Sequence, residues 1–407
     1  MNVADYLEDT VRVWLGLRAG TATAPTMPDD LARLFLRSEE LETDERDRWG
    51  CFDFAAADNA KRGALGVAEV DRWLGARASE LARTVPLEPR WPDGRRFAIC
   101  LTHDVDVVST RSTPAQVLRD ARAAFGPDGG STLAVRAFRP PVRFVRGLRR
   151  LSRAPSLRET LEQSVSLEAE RGLTASYFFT VPPAGTWTRW DCVYAPGDAC
   201  EFRGRTQRIA DVMRTLRNEG FDVGLHGSYE SAREPDVLRR ERARLEHDLG
   251  GTVTTTRQHF LHWDVRWTPQ LQEAAGMRAD SSLGYNRTVG FRAGTSLPFR
   301  QFDLTAGRTL DVVQVPLVVQ DAALLGPIAA GGSREEPRES VRRLFDEVAA
   351  VGGAITLVFH PDKLVRPTWR ALYEWTLDHA LASGGWVTSV AGLDAWWRER
   401  ERLILER

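Results

Sequence analysis

Residues 97–106 read Phe-Ala-Ile-Cys-Leu-Thr-His-Asp-Val-Asp, an apolar run of strand length that ends in two carboxylates spaced i, i+2 with an imidazole beside them. A short continuous apolar run is the pattern of a strand buried on both faces, and such strands belong to parallel sheets covered by helices. Two acids beside a core strand are costly unless a cation or a positive partner compensates them. Taken alone, the segment could be a helix cap and a solvated turn. Its recurrence argues otherwise: GFDVGLH ends in His226, TVTTTRQH in His259 and GGAITLVFH in His360.

Strand-like runs at 97–102, 174–181, 221–226, 252–258, 276–281, 311–317, 354–359 and 386–390 alternate with helical stretches, among them 156–171, 205–219 and 231–248. Alternation of this kind implies βα units and a mainly parallel sheet. Seven or eight units over about 300 residues suit a closed or nearly closed barrel better than an open sheet. Residues 1–95 are charged and helix-leaning and close with the turn-rich PLEPRWPDGRR. They are expected to form an N-terminal helical extension that packs on a barrel spanning 96–407 and shapes one wall of the site without supplying catalytic groups.

Two segments interrupt the pattern. Residues 118–153 carry nine arginines against two acids, with apolar residues interleaved. They read either as an amphipathic segment that is solvated or touches a membrane surface, or as a lid over the site, since they directly follow the HDVD strand. Pro140-Pro141 is expected to break any long helix there. The second, GPIAAGGSREEP at 326–337, is Gly-rich but lacks the Lys-Ser/Thr ending of a phosphate-binding loop.

A net charge of −1 argues against a nucleic-acid partner. The N-terminus MNVADYLEDTVRVW has acids where a signal peptide needs a basic flank. No uncharged apolar run approaches the roughly 18 residues of a membrane span. Cys51, Cys100, Cys192 and Cys200 show neither CxxC spacing nor a disulfide-dense pattern. A cytoplasmic location is the resulting expectation.

Only seven histidines occur, and four of them (His103, His226, His259 and His360) fall at the ends of separate strand-like runs. Parallel βα units direct those ends to one rim. Neutral imidazoles with a carboxylate match the ligand preferences of Zn²⁺ or a similar divalent ion. A second carboxylate could then take a proton from the attacking water, and Asp104 and Asp106 supply the pair. His247 and His379 sit inside helical stretches and read as ordinary structural residues.

These motifs resemble those of the polysaccharide deacetylases, the family-4 carbohydrate esterases with the NodB-homology fold. The counterparts are Thr102-His103-Asp104-Val105-Asp106, His226-Gly227-Ser228-Tyr229-Glu230, Arg257-Gln258-His259 and Val358-Phe359-His360, with Thr174 to Phe179 similar to the family's second strand. The chain is similar in particular to a branch carrying LTHDVD, GLHGSY and GFRxGT motifs, the last at Gly290 to Thr295. The resemblance covers about residues 96–395 and implies an α/β fold, a distorted (β/α)7–8 barrel. By position it implies Asp104 as catalytic base, His360 as general acid, Arg257 as the holder of Asp104, and Asp106 and His226 as ligands of one divalent metal, zinc first, with cobalt or manganese as alternatives.

One departure stands out. The family's second motif usually has another His four residues after the first, and this chain has Glu230 there. His259, from a neighbouring strand end, is expected to supply the missing ligand, with Glu230 in reserve. His103, Tyr229, Arg292 and Trp263 are the expected substrate contacts. The function implied is metal-dependent removal of an N-acyl group, acetyl in the first place, from an amino sugar or sugar-containing metabolite. The alternative is a catalytically silent relative that binds a glycan or scaffolds a biosynthetic complex.

Overall fold

The structure is a computed structural model that describes residues 2–109, 112–124, 133–149, 151, 156–157, 160–326 and 336–406. Most of the Gly-rich stretch at 326–337 and residues 125–132 of the Arg-rich segment lie outside the described residues. Twelve strands are described: β1 (Ala98–Val105), β2 (Ser176–Phe179), β3 (Ala199–Phe202), β4 (Arg205–Arg208), β5 (Asp222–Gly227), β6 (Thr255–Gln258), β7 (Ala279–Asp280), β8 (Phe299–Asp303), β9 (Arg308–Gln314), β10 (Val319–Gln320), β11 (Ala354–Val358) and β12 (Trp386–Thr388). Ten of them form one sheet in the order β10-β11-β1-β2-β5-β6-β7-β9-β8, with β12 beside the first half of β1. Every pairing in it is parallel except the β8–β9 hairpin. Among the described residues no ladder joins β10 to β8, so the architecture is a distorted (β/α) barrel left open on that side.

β1 is the centre of the arrangement. All eight of its residues are buried. One edge pairs with β11 from Ala98↔Ala354 to Thr102↔Val358. The other edge pairs with β12 over Ala98–Cys100 and then with β2 over Thr102–Val105. Side chains alternate across a strand, so β1 feeds two layers. Ile99, Leu101 and Val105 join the apolar layer beneath the outer helices, whereas Ala98 and Cys100 join a second core with Phe178, Ala279, Val313 and Ala354.

The N-terminal helices α1 (Val3–Leu15), α2 (Asp29–Leu36) and α4 (Glu69–Leu81) contribute to that second core through Tyr6, Trp14, Phe35, Val70 and Leu74, whereas the short α3 (Asp58–Lys61) lies outside it. Polar anchors repeat the contact. Trp14 Nε1 donates to Pro298 O at 2.8 Å, Asn59 Nδ2 to Phe291 O at 2.9 Å, and Trp91 Nε1 to Gly352 O at 2.8 Å. Asp71, fully buried, accepts from the Ser296 amide at 2.8 Å and its hydroxyl at 2.6 Å.

The remaining helices connect the strands: α5 (Pro114–Ala123), α6 (Leu133–Leu148), α7 (Leu161–Ala169), α8 (Ile209–Asn218), α9 (Pro235–Leu249), α10 (Thr268–Ala274), α11 (Asp321–Leu325), α12 (Pro337–Val351), α13 (Pro367–Ser383) and α14 (Val390–Leu405). Two expectations are corrected. Residues 205–208 do not begin a helix but pair with β3, because Arg203 and Gly204 both take positive φ (51° and 73°) and close a two-residue hairpin turn. Pro140-Pro141 does not end a helix either; α6 runs through it. Tertiary docking offsets the local penalty: Arg143 pairs with Asp120 of α5 at 2.9 Å, and Gly147 packs against Val117.

Because Trp14 sits in a core shared with β8 and α14, we predict that Trp14→Ala destabilises the whole chain by about 3–5 kcal/mol. Calorimetry should show one cooperative transition moved to lower temperature. Two separated transitions, with only the lower one moved, would contradict the shared core.

Candidate metal centre and catalytic rim

Parallel pairing brings the carboxyl ends of β1, β5, β6, β10 and β11 to one rim. Asp104 closes β1 and Asp106 follows it, His226 lies near the end of β5, Arg257 near the end of β6, His259 just past β6, and His360 two residues beyond β11.

Asp106, His226 and His259 converge. Their ligand atoms all lie within 4.8 Å of one another, the one such His/Cys/Asp/Glu group among the described residues. Asp106 Oδ1 stands 3.2 Å from His226 Nε2 and 3.5 Å from His259 Nδ1. That oxygen is buried and accepts no well-formed hydrogen bond, an orphaned acceptor of the kind that a cation satisfies. His226 Nδ1 faces the Arg257 carbonyl at 2.9 Å. A carbonyl can only accept, so Nδ1 carries the proton and Nε2 offers its lone pair to the cluster.

The electrostatics agree with a cation site. Burial alone would raise the Asp106 pKa, but the imidazoles of His259, His226 and His360 outweigh it and hold the carboxyl well below its usual range. His259 is pushed down by burial, and by His226 beside it. Burial also opposes charge on His226, yet the carboxylates of Asp104 and Asp106 raise its pKa overall. His226 Nε2 and His259 Nδ1 lie 2.8 Å apart, close enough for one divalent ion to take both as ligands. The residues present fit such a metal: one carboxylate, two imidazoles and an orientation fixed from behind.

Two further groups flank the cluster. Asp104 is almost fully buried and receives Arg257 Nη1 at 3.1 Å. Arg257, itself inaccessible, also donates to Thr102 Oγ1 (2.7 Å), Ser281 O (2.8 Å) and Ser281 Oγ (2.7 Å). On the opposite side His360 Nε2 lies 3.6 Å from Asp106 Oδ2, while its Nδ1 donates to Asp321 Oδ1 at 2.7 Å. The His360 amide donates to the other oxygen of Asp321 at 2.8 Å. Burial alone would lower the pKa of His360, but Asp321, with Asp106 and Asp104 behind it, pushes it up to about 10.

A cavity of about 390 Å³ opens from Asp106 and His259, walled by Val107, Arg143, Arg146, Arg189, Trp190 and Phe260 among others. All four expected substrate contacts are corrected. His103 alternates with Thr102 and Asp104 and so points to the other layer, where Nδ1 meets Phe359 O at 2.8 Å and Nε2 meets Glu168 at 2.7 Å. Arg292 is buried and forks onto Glu40 at 2.7 and 2.8 Å. Trp263 is buried in the core shared with the N-terminal helices. Tyr229 turns away from the cavity, its ring on His262 and its hydroxyl on Trp49 O at 2.7 Å. Glu230 stands outside the donor group. Ser228, tied to buried Glu241 through its amide (3.0 Å) and hydroxyl (2.6 Å), directs the following turn elsewhere.

Sequence reasoning missed Asp321 and Asp191. Asp321 follows the two-residue β10 and opens α11, and the apolar run ahead of it was its one signal. Asp191 accepts from the Tyr229 amide at 3.0 Å and lines the cavity; nothing in its local sequence marks it. A contribution of residues 47–52 was equally hidden. Phe260 and Leu261 both adopt left-handed backbone, with φ of 56° and 50°, an unfavourable state for bulky residues. Trp49 stacks on Phe260 at 5.8 Å, and Cys51 Sγ lies 3.3 Å from the Leu261 carbonyl. The N-terminal segment thus braces the turn that presents His259.

No family model and no curated protein matches the sequence. The fold is similar to that of solved structures. One, from Mycobacterium smegmatis and assigned to the polysaccharide deacetylases, is 18% identical with a TM-score of 0.49, covering 78% of this chain and 96% of its own. Another so assigned, from Pseudomonas aeruginosa PAO1, is 16% identical with a TM-score of 0.47, covering 78% and 95%. The allantoinase PuuE is 15% identical with a TM-score of 0.47, over the same shares.

Two outcomes are expected in zinc-binding measurements. Asp106→Asn should remove stoichiometric binding, whereas Glu230→Gln should leave it unchanged; loss in the second variant would place Glu230 among the ligands. Trp49→Ala should weaken zinc affinity about 10–100-fold, the usual effect of removing support behind a ligand, with Trp49→Phe restoring it. Unaltered affinity in Trp49→Ala would show that the His259 turn holds itself.

Proposed function

We propose that the protein is a metal-dependent hydrolase that removes an N-acyl group, acetyl in the first place, from an amino sugar or sugar-containing metabolite. The observation that carries this reading is the placement of an Asp-His-His donor group between two differently prepared proton-transfer groups, Asp104 and His360. Zinc is the first candidate metal, with cobalt or manganese as alternatives, and Asp106, His226 and His259 would hold it. A bound divalent ion supplies Lewis acidity that lowers the pKa of water and polarises an amide carbonyl.

Asp104 takes the proton from the attacking water. Arg257 keeps it aimed, donating to it from Nη1 at 3.1 Å. His360 has the opposite task. Its Nδ1–H is committed to Asp321, so Nε2 faces the cluster and carries the proton that the departing nitrogen requires. Trp190, half-buried on the cavity wall, offers an indole face of the kind that stacks on a sugar ring. The absent second-motif histidine was the sequence support for a catalytically silent relative; His259 beside Asp106 supports the enzyme instead.

Purified, zinc-loaded protein should be offered a panel of N-acetylated amino sugars and sugar nucleotides, with release of primary amine as the readout. Amine release that disappears on chelation supports the proposal; a zinc-bound protein inert to the whole panel would overturn it. We further predict that Asp104→Asn keeps its zinc and loses about 10²–10⁴-fold in turnover. Full turnover in that variant would reassign the base.

A further inference from the structure

The arginine-rich segment after β1 is an amphipathic surface with its apolar side facing outward. Residues 133–151 contain six arginines (136, 139, 143, 146, 149 and 150) and no acid, in a chain whose net charge is −1. On one side α6 meets the protein: Gly147 packs on Val117, Arg143 pairs with Asp120, and Arg143 and Arg146 line the cavity that opens from Asp106 and His259. On the other side Val142, Val145 and Leu148, spaced i, i+3, i+6, are 54%, 49% and 45% exposed. Phe144, Leu151 and Leu118 of α5 are exposed as well, so this hairpin holds six of the twelve large apolar residues exposed among the described residues. Single exposed apolar residues are ordinary, but a contiguous group marks a binding surface.

The partner's chemistry follows from the arginines. A lid closing over an apolar ligand would turn Val142, Val145 and Leu148 inward; here they face solvent. A purely proteinaceous partner would have to match an apolar stripe in a segment that carries six arginines and no acid. An anionic bilayer meets both demands: its acyl boundary accepts the apolar stripe while the guanidinium groups reach up to the phosphates. No helix among the described residues is long and apolar enough to cross a membrane, so the contact would lie along the surface. We propose that the outward face of α6 docks the protein on an anionic lipid surface, with the mouth of the cavity beside the headgroups. The proposal rests on α6 and not on the reaction assigned above, and its test contains no turnover.

Co-sedimentation with phosphatidylcholine vesicles, with and without phosphatidylglycerol, tests it. Binding should require phosphatidylglycerol and weaken as salt rises. The double variant Val142→Asp/Val145→Asp should lower partitioning about tenfold or more while its circular dichroism and melting temperature stay at the parent's. Arg146→Glu/Arg149→Glu, at exposed positions, should weaken binding at low salt even if the first variant folds poorly. No binding to phosphatidylglycerol vesicles, or equal binding by both variants, would overturn the proposal. So would self-association of the parent chain, without vesicle binding, that Val142→Asp/Val145→Asp abolishes, because the face would then belong to a second copy.

Discussion

The buried guanidinium of Arg257 is the interaction on which the rim depends. A fully buried cation is costly unless its donors are met at good geometry, and here they reach acceptors at two strand ends: Thr102 and Asp104 of β1, and Ser281 just after β7. Its own carbonyl takes the Nδ1 proton of His226 on β5. One residue of β6 therefore fixes the rotamer of Asp104 and the tautomer of His226 together. Truncating its side chain would strand a carboxylate in the core, whereas the backbone carbonyl that holds His226 would remain.

Around that centre the proposed ligand side and the proposed proton-transfer side are built in the same way. Each functional group is held from behind by a partner that is itself inaccessible or nearly so: Asp104 by Arg257, His360 by Asp321, and His226 by a strand carbonyl. His259 differs, because it sits on a turn with unfavourable backbone geometry and is steadied by Trp49 and Cys51 from the N-terminal segment. The N-terminal segment thus steadies the turn that carries His259, and none of its described residues belongs to the Asp106–His226–His259 group.

Much of the frame was legible because apolar runs and helical stretches alternate, and all eight expected strands occur in order. What escaped has physical reasons. β10 is two residues long, too short for any periodicity, so Asp321 behind it gave little sign. α6 crosses Pro140-Pro141 because docking on α5 outweighs the local penalty. His103 was legible and misread: in a strand where Thr102 and Asp104 face the barrel interior, residue 103 must face away. Arg292 and Trp263 sit in contacts with the N-terminal segment that sequence spacing cannot reveal, whereas His259 was reachable because it ends a strand beside the one carrying His226.

Asp106, His226 and His259 are the three proposed metal ligands. Anomalous scattering at the zinc edge, from crystals of the zinc-loaded protein, tests this assignment most directly. One strong peak is expected, with Asp106 Oδ1, His226 Nε2 and His259 Nδ1 each about 2.0–2.2 Å away. A peak coordinated by Glu230 in place of His259, or no peak at this rim, would contradict it.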